Sequence, residues 1–173
     1  MMKRLTTLIT SLLLALMACG CIYDDDYRDA DIVKVGEPLP DFTVAMNDGS
    51  VITGEMLRRG VAVVVFFDTS CSDCRCLLPQ LQPLYDEYST EAHFVLISRE
   101  EEESTISSFW ALHNMTMPYS AQSDRGVYNL FARSLVPRVY ISDAEGIIRH
   151  IFADNPVPTA EVVRDALLGV LHQ

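Results

Sequence analysis

An α/β layered fold is what the sequence predicts, and three observations carry it. An uninterrupted apolar run, Val61–Phe67 (VAVVVFF), and a second largely apolar segment, residues 93–98 (HFVLIS), have the β-rich character of buried strands. Between them the spacing turns helical: Leu77, Leu78, Leu81, Leu84, Tyr85 and Tyr88 recur three and four residues apart and form one apolar stripe. The chain then closes with a strand–turn–strand pattern and a last amphipathic helix, so strands and helices alternate as layered α/β proteins require. The 173 residues suffice for one domain with one buried core. A content of 49% hydrophobic and 21% charged residues is globular and not disordered.

The elements follow in order. Residues 41–46 and 50–53 read as two short strands around Asn47-Asp48-Gly49, a hairpin turn. The strand at 61–67 ends in Asp68-Thr69-Ser70, a short turn that delivers Cys71 to the mouth of the striped helix. After the second buried strand, Glu100 to Glu103 precede a helix over residues 104–112, acids at the end that the helix dipole favours. Asp124 is placed to cap a helix through Phe131. Strands at 139–142 and 147–152 flank Asp143-Ala144-Glu145-Gly146, a second hairpin signal. Thr159 caps a final helix whose stripe is Val162, Val163, Ala166, Leu167 and Val170.

The N-terminus reads as an export signal. Lys3 and Arg4 precede an apolar stretch over residues 5–17, too short to span a bilayer comfortably. Leu16-Met17-Ala18 before Cys19 resembles the lipobox of bacterial lipoproteins, which implies cleavage before Cys19 and lipidation of that residue; Cys21 is the weaker acceptor. The expected organisation is a signal peptide at 1–18, a flexible polar tether at 19–35 and one domain at 36–173. Gly20 rather than Asp follows Cys19, which argues against inner-membrane retention, and Asp24-Asp25-Asp26 resembles surface-export signals or serves as a solvated tether. The expected location is therefore the cell envelope, anchored by lipid, in the outer membrane and facing periplasm or cell surface. Disulfides persist in that environment. The formal charge is −11, and loss of Lys3 and Arg4 makes the mature chain two units more negative, so nucleic-acid binding is disfavoured.

Of the five cysteines (19, 21, 71, 74 and 76), Cys71-Ser72-Asp73-Cys74 is a C-x-x-C at a helix start. The first-turn N–H groups and the dipole favour a thiolate at Cys71. Cys74 lies one turn in, on the side of the leucine stripe, and is expected to be shielded. An exposed, activated thiol followed by a buried one is the arrangement for attack and resolution. Cys76 falls on the polar face and reads as a bystander or an accessory free thiol. A purely structural disulfide is disfavoured because so small a loop removes little chain entropy. A zinc site is disfavoured because no second C-x-x-C or H-x-x-H exists and His93, His113, His150 and His172 are scattered.

FFDTSCSDCRCLLPQLQPLY resembles the active-site strand, C-x-x-C and long helix of thioredoxin-like proteins, specifically the TlpA-like extracytoplasmic thiol-disulfide oxidoreductases. VGEPLPDFTVAMNDGSVI is similar to that family's N-terminal extension and β-hairpin, Pro79 to its helix-kinking proline, and Leu135-Val136-Pro137 before YISDAEGIIRH to its cis-proline loop and final hairpin. The resemblance covers about residues 36–170. It implies a thioredoxin-like fold: a central mixed β-sheet flanked by helices, with an N-terminal hairpin extension. It implies Cys71 as nucleophile and Cys74 as resolving thiol, with a cis Val136–Pro137 bond. Val136 and Pro137 then border the substrate groove, the Val136 backbone pairing with an extended substrate segment; Ser72 and Asp73, inside the C-x-x-C, complete the contact surface.

The departures from that family are specific. Ser70 stands where a Trp is usual, and Ser72-Asp73 where a Pro is common. Leu77 and Val65 occupy the two positions at which relatives carry a buried acid, so the proton acceptor for Cys74 is unassigned. Asp73 places a negative charge near Cys71, which Arg75 offsets. Arg138 follows the proline where Thr is usual and is expected to favour acidic substrate segments.

The resulting expectation is an extracytoplasmic, lipid-anchored enzyme that reduces or exchanges disulfides of exported proteins. It needs no organic cofactor and no metal, and works with an electron donor or acceptor the sequence does not name. One rival is a thiol peroxidase, but its P-x-x-x-T-x-x-C pattern has Val64 and Asp68 in place of Pro and Thr. The other is a copper-binding or docking lipoprotein using Cys71, Cys74 and His150.

Overall fold

The computed structural model describes residues 30–153 and 156–173. The signal segment 1–18, Cys19, Cys21 and the aspartates at 24–26 lie outside the described residues. Strand β1 (Thr43–Ala45) and strand β2 (Val51–Thr53) pair antiparallel with Val44 opposite Ile52. Their turn runs through Gly49 at φ +86, and Asp48 accepts hydrogen bonds from the Ser50 N–H and hydroxyl. A single helical turn, α1 (Gly54–Leu57), follows directly and is capped by the Thr53 hydroxyl, which accepts from Met56 N–H. One turn is too short to leave a periodic stripe, which is why the sequence did not announce it.

The main sheet has the order β5-β4-β3-β6-β7. Strand β3 (Val61–Phe67) is its centre and every one of its residues is buried. Strands β4 (Ala92–Ser98) and β5 (Tyr119–Ser120) run parallel to it; β6 (Arg138–Ser142) and β7 (Ile148–Phe152) complete an antiparallel half. Helix α2 (Ser72–Tyr88) crosses from β3 to β4, and α3 (Glu103–Leu112) from β4 to β5. Both crossovers step the same way across the sheet, so right-handed connections place both helices on one face. Helix α4 (Ala160–Leu171) packs against α2 there, capped by the Thr159 hydroxyl as expected. Among the described residues no helix is long and apolar enough to cross a membrane.

Neighbouring side chains of β3 divide the core between two faces. Phe66 meets Tyr128, Phe131 and Tyr140 with ring centroids 5.5, 4.9 and 6.1 Å away. Phe67 points to the other face and meets Trp110 at 5.1 Å. The strand therefore ends between two aromatic clusters, and the loop it feeds into, Asp68 to Cys71, starts from a rigid base.

Two expectations are corrected. The helix from Asp124 through Phe131 is only a 3-10 turn at Tyr128–Leu130. Asp124 spends its carboxylate on Gly126 N–H, 2.6 Å away, closing a local turn in place of a helix cap. The tether also ends sooner than position 35. Ala30 and Val33 are buried, Ile32 N–H donates to Phe131 O and Arg133 N–H to Ala30 O, so the folded domain begins by Ala30. The backbone of residues 30–33 pairs with that of 131–133, a partner far away in sequence.

Gly146 closes the β6–β7 turn at φ +77, and a Cβ there would lie 2.3 Å from Arg58 Cγ. Replacement with Ala combines a left-handed backbone with that clash and should destabilise by about 1–3 kcal/mol. A lowered urea midpoint with an unchanged slope would show it.

Candidate active site

Cys71 is the N-cap of α2, at φ −77 and ψ 125, with no side-chain cap bond of its own. Its N–H donates to Asp68 O (3.1 Å) and its carbonyl accepts from Arg75 N–H (3.0 Å), so backbone alone fixes the sulfur at the helix mouth. Cys71 is half-buried and Cys74 is fully buried; both are free thiols. Burial pushes the Cys74 thiol far above the ordinary range; a hydrogen bond from the Asp68 backbone opposes this, while the Cys71 sulfur and the Asp68 charge add to it. Iodoacetamide at neutral pH should therefore modify Cys71 and exposed Cys76 and leave Cys74 intact, read by peptide mass. Because the unfolded chain gives up the Cys74 proton first, this thiol favours the fold below the ordinary thiol pKa and that contribution fades as pH rises above it.

The loop before β6 faces this pair. The Cys71 thiol donates to Val136 O across 3.4 Å. The Val136–Pro137 bond is cis, as the resemblance implies, and Leu135 before it sits at φ +74. That left-handed leucine is held by Tyr128, whose hydroxyl donates to Leu135 O at 2.7 Å. Ser72 is exposed and Asp73 half-buried on the first turn of α2. Ser72 and Asp73 follow Cys71 on the first turn of α2, and the cis-proline loop brings the Val136 carbonyl to its thiol.

Arg138 does not do what its sequence position suggested. It is 1% exposed and turned inward, where Nε donates to Ser134 O (3.0 Å) and the guanidinium pairs with Asp31. It braces the proline loop from behind and offers no charge to an acidic substrate. Arg75 lies over the Phe109 ring, 5.6 Å from its centroid, and makes no ion pair with Asp73 among the described residues. Cys76 is exposed and takes a contact from Gln80 Nε2 at 3.4 Å, apart from the other two thiols. His150 stacks on Phe152 on β7, and no cluster of three metal-ligating side chains exists among the described residues, so the copper set is not assembled.

Leu77 and Val65 are buried apolar residues, so no acid reaches the cysteines from those positions. The group that sequence reasoning missed is Asp68. It is only 7% exposed, pairs with Arg99 Nη2 through Oδ2 at 2.6 Å, and accepts from Ser70 N–H and hydroxyl through Oδ1 at 2.9 and 2.5 Å. Burial raises its pKa, but the Ser70 and Arg99 bonds outweigh that and hold it below the usual carboxylate value. Beside it, Thr69 donates its N–H and hydroxyl to Glu101 at 2.8 and 2.5 Å. A signal was present: β3 and β4 pair in parallel with Phe67 opposite Ser98, so the residues that follow, Asp68 and Arg99, must meet.

Thiol-disulfide oxidoreductase YkuV of Bacillus subtilis is 26% identical over 128 residues, covering 70% of this chain and 86% of the relative. Thiol-disulfide oxidoreductase ResA of Oceanobacillus iheyensis is 26% identical over 150 residues, covering 82% and 78%. Among solved structures, a putative protein disulfide isomerase from Bacteroides thetaiotaomicron shares the fold with a TM-score of 0.75 at 22% identity, covering 83% of this chain and 94% of the other. A thio-disulfide isomerase from Thermus thermophilus superposes with a TM-score of 0.63 at 28% identity, covering 80% and 97%. The AhpC/TSA family profile matches residues 35–151, well over half of the sequence. On a thioredoxin-like fold shared with thiol-disulfide oxidoreductases, this chain belongs to the AhpC/TSA family.

Proposed function

We propose that the protein is a lipid-anchored, extracytoplasmic thiol-disulfide oxidoreductase that reduces or exchanges disulfides of exported proteins through Cys71 and Cys74. One observation carries the reading: a half-exposed thiol at a helix N-terminus, one turn before a fully buried thiol and facing the carbonyl of Val136 in a cis-proline loop. Cys71 attacks a substrate disulfide, its S–S bond breaks, and one substrate sulfur leaves as a thiolate. Cys74 then attacks Cys71, the substrate leaves fully reduced, and the two electrons it has gained are those the two thiols gave up in forming the Cys71–Cys74 disulfide. An external thiol donor must restore the dithiol. Reduction of insulin disulfides by the purified domain, lost in Cys71→Ser, tests the activity.

The envelope location rests on Cys19 and its lipobox-like surroundings. Expressed in a bacterial host with radiolabelled palmitate, the full chain should carry label and sediment with membranes. Cys19→Ala should lose both; label that persists in that variant contradicts anchoring at Cys19. A peroxidase reading draws support from the family match alone, since the positions of the peroxidase Pro and Thr hold Val64 and an Asp68 already committed to Arg99 and Ser70.

A further inference from the structure

Three successive carbonyls of the loop that faces Cys71 are each held by a side chain. Ser134 O accepts from Arg138 Nε at 3.0 Å, Leu135 O from the Tyr128 hydroxyl at 2.7 Å, and Val136 O from the Cys71 thiol at 3.4 Å. At the middle of this run Leu135 sits at φ +74, a left-handed conformation that a leucine keeps only where its surroundings impose it. Tyr128 is anchored in the core, its ring edge-on to Phe66. Arg138 is held by charge. Its guanidinium is buried, and among the described residues its ion-pair partner is Asp31. Asp31 belongs to a strap of residues 30–33 that lies antiparallel along 131–133: Asp31 bridges Ala132, Ile32 N–H donates to Phe131 O at 2.9 Å, and Arg133 N–H donates to Ala30 O at 2.8 Å. The pair is one-sided, since the Asp31 side chain keeps 42% of its surface in water while Arg138 keeps almost none. Removing the guanidinium leaves a carboxylate that water can serve. Removing the carboxylate leaves a buried cation with nothing to answer it, which is the costly half of such a pair.

We propose that Asp31 positions the substrate-facing loop through Arg138, so that the strap at residues 30–33 sets how well Val136 receives an extended polypeptide, while the Cys71 sulfur is placed independently by α2. The proposal rests on the oxidoreductase reading above. A guanidinium that has lost its anion turns toward water and releases Ser134 O. Leu135 then relaxes from its left-handed state, and Val136 no longer presents its main chain to a substrate strand. Cys71 keeps its place, because its N–H and carbonyl are bound to Asp68 and Arg75 within its own segment. A polypeptide disulfide, which pairs through its main chain as an added strand does, feels the change. A small aryl disulfide, which has no main chain, does not. Asp31 acts through Arg138 and is a positioning residue.

The test compares two substrates on Asp31→Asn, Asp31→Glu, Arg138→Met and the double variant Asp31→Asn with Arg138→Met, all in a Cys76→Ser background. Insulin is reduced with dithiothreitol as donor. A chromogenic aryl disulfide is mixed with the pre-reduced protein, and the first thiolate released is timed. Asp31→Asn should lower kcat/KM on insulin about two- to tenfold, the worth of one main-chain hydrogen bond, through KM more than kcat. Its reaction with the aryl disulfide should be no slower than the parent's. Asp31→Glu restores the carboxylate and should recover the insulin rate. Arg138→Met should lose as much as Asp31→Asn, and the double variant should lose no more than Arg138→Met, because a residue that acts through another has no effect once the other is gone. No loss on insulin, equal losses on both substrates, or additive losses in the double variant overturn the proposal. Hydrogen exchange of the resting proteins reads the strap apart from the chemistry: amides of residues 133–136 should exchange faster in Asp31→Asn, and those of α2 as in the parent. A parent that fails to reduce insulin would refute the oxidoreductase reading instead, and unchanged exchange at 133–136 would still overturn the coupling of strap to loop.

Discussion

Cys71→Ser is expected to reduce disulfide exchange to the uncatalysed background, while Cys74→Ser keeps the first chemical step and traps its product. The asymmetry follows from where the two sulfurs sit. Only Cys71 is reachable from outside, and it sits where first-turn N–H groups point at a developing anion. A serine hydroxyl at the same place gives no comparable nucleophile at neutral pH and forms no bond to substrate sulfur. Cys74 is completely shielded, so it cannot begin the reaction, but it stands within one helical turn of Cys71 and can finish it. Without it, the bond between Cys71 and the substrate persists until an outside thiol cleaves it. Non-reducing electrophoresis should show a stable adduct for Cys74→Ser and none for Cys71→Ser. An adduct in the reverse pattern would mean the roles are exchanged.

Phe66→Ala should cost about 3–5 kcal/mol, the range for emptying a large aromatic site in a packed core. Phe66 is fully buried in the central strand, and its ring is the hub of contacts to Tyr128, Phe131 and Tyr140. Three ring side chains, two from the 3-10 turn and its cap and one from β6, cannot all move into the space it leaves. The loss extends to the site, because Tyr128 is the residue that holds Leu135 in its left-handed conformation next to Val136 and Pro137. Urea unfolding should show the lower stability, and the variant should lose exchange rate at temperatures where it is still folded. A cost below about 1 kcal/mol would mean the core collapses around the gap, as the better-adapting sites do.

Much of the fold was legible because its signals are local. Seven unbroken apolar residues in β3 and the leucine stripe of α2 each identify their own element, and the turn between them puts Cys71 at a helix start whatever the rest of the chain does. What escaped is what depends on remote partners. Strand β5 has two residues, and its place is set by β4 rather than by any pattern of its own. Arg138 reads as a surface charge until Asp31, 107 residues earlier, turns it inward. Residues 30–33 read as tether because their partner, the backbone near Phe131, lies across the molecule. The Asp68–Arg99 pair spans 31 residues and becomes visible only once β3 and β4 are set in register. At the site, the cysteines and the proline loop were readable as motifs, whereas the charge beside them was a consequence of sheet pairing.

The most direct test of a dithiol active site is redox equilibration of the Cys71–Cys74 pair in the soluble domain against glutathione or dithiothreitol buffers. A single reversible two-electron couple is expected, at a potential near the thioredoxin value of about −270 mV if the protein works as a reductant. A couple near about −120 mV would contradict the reducing direction, since that poise belongs to a disulfide donor. No reversible couple at all would contradict the assignment of Cys71 and Cys74 as the redox centre.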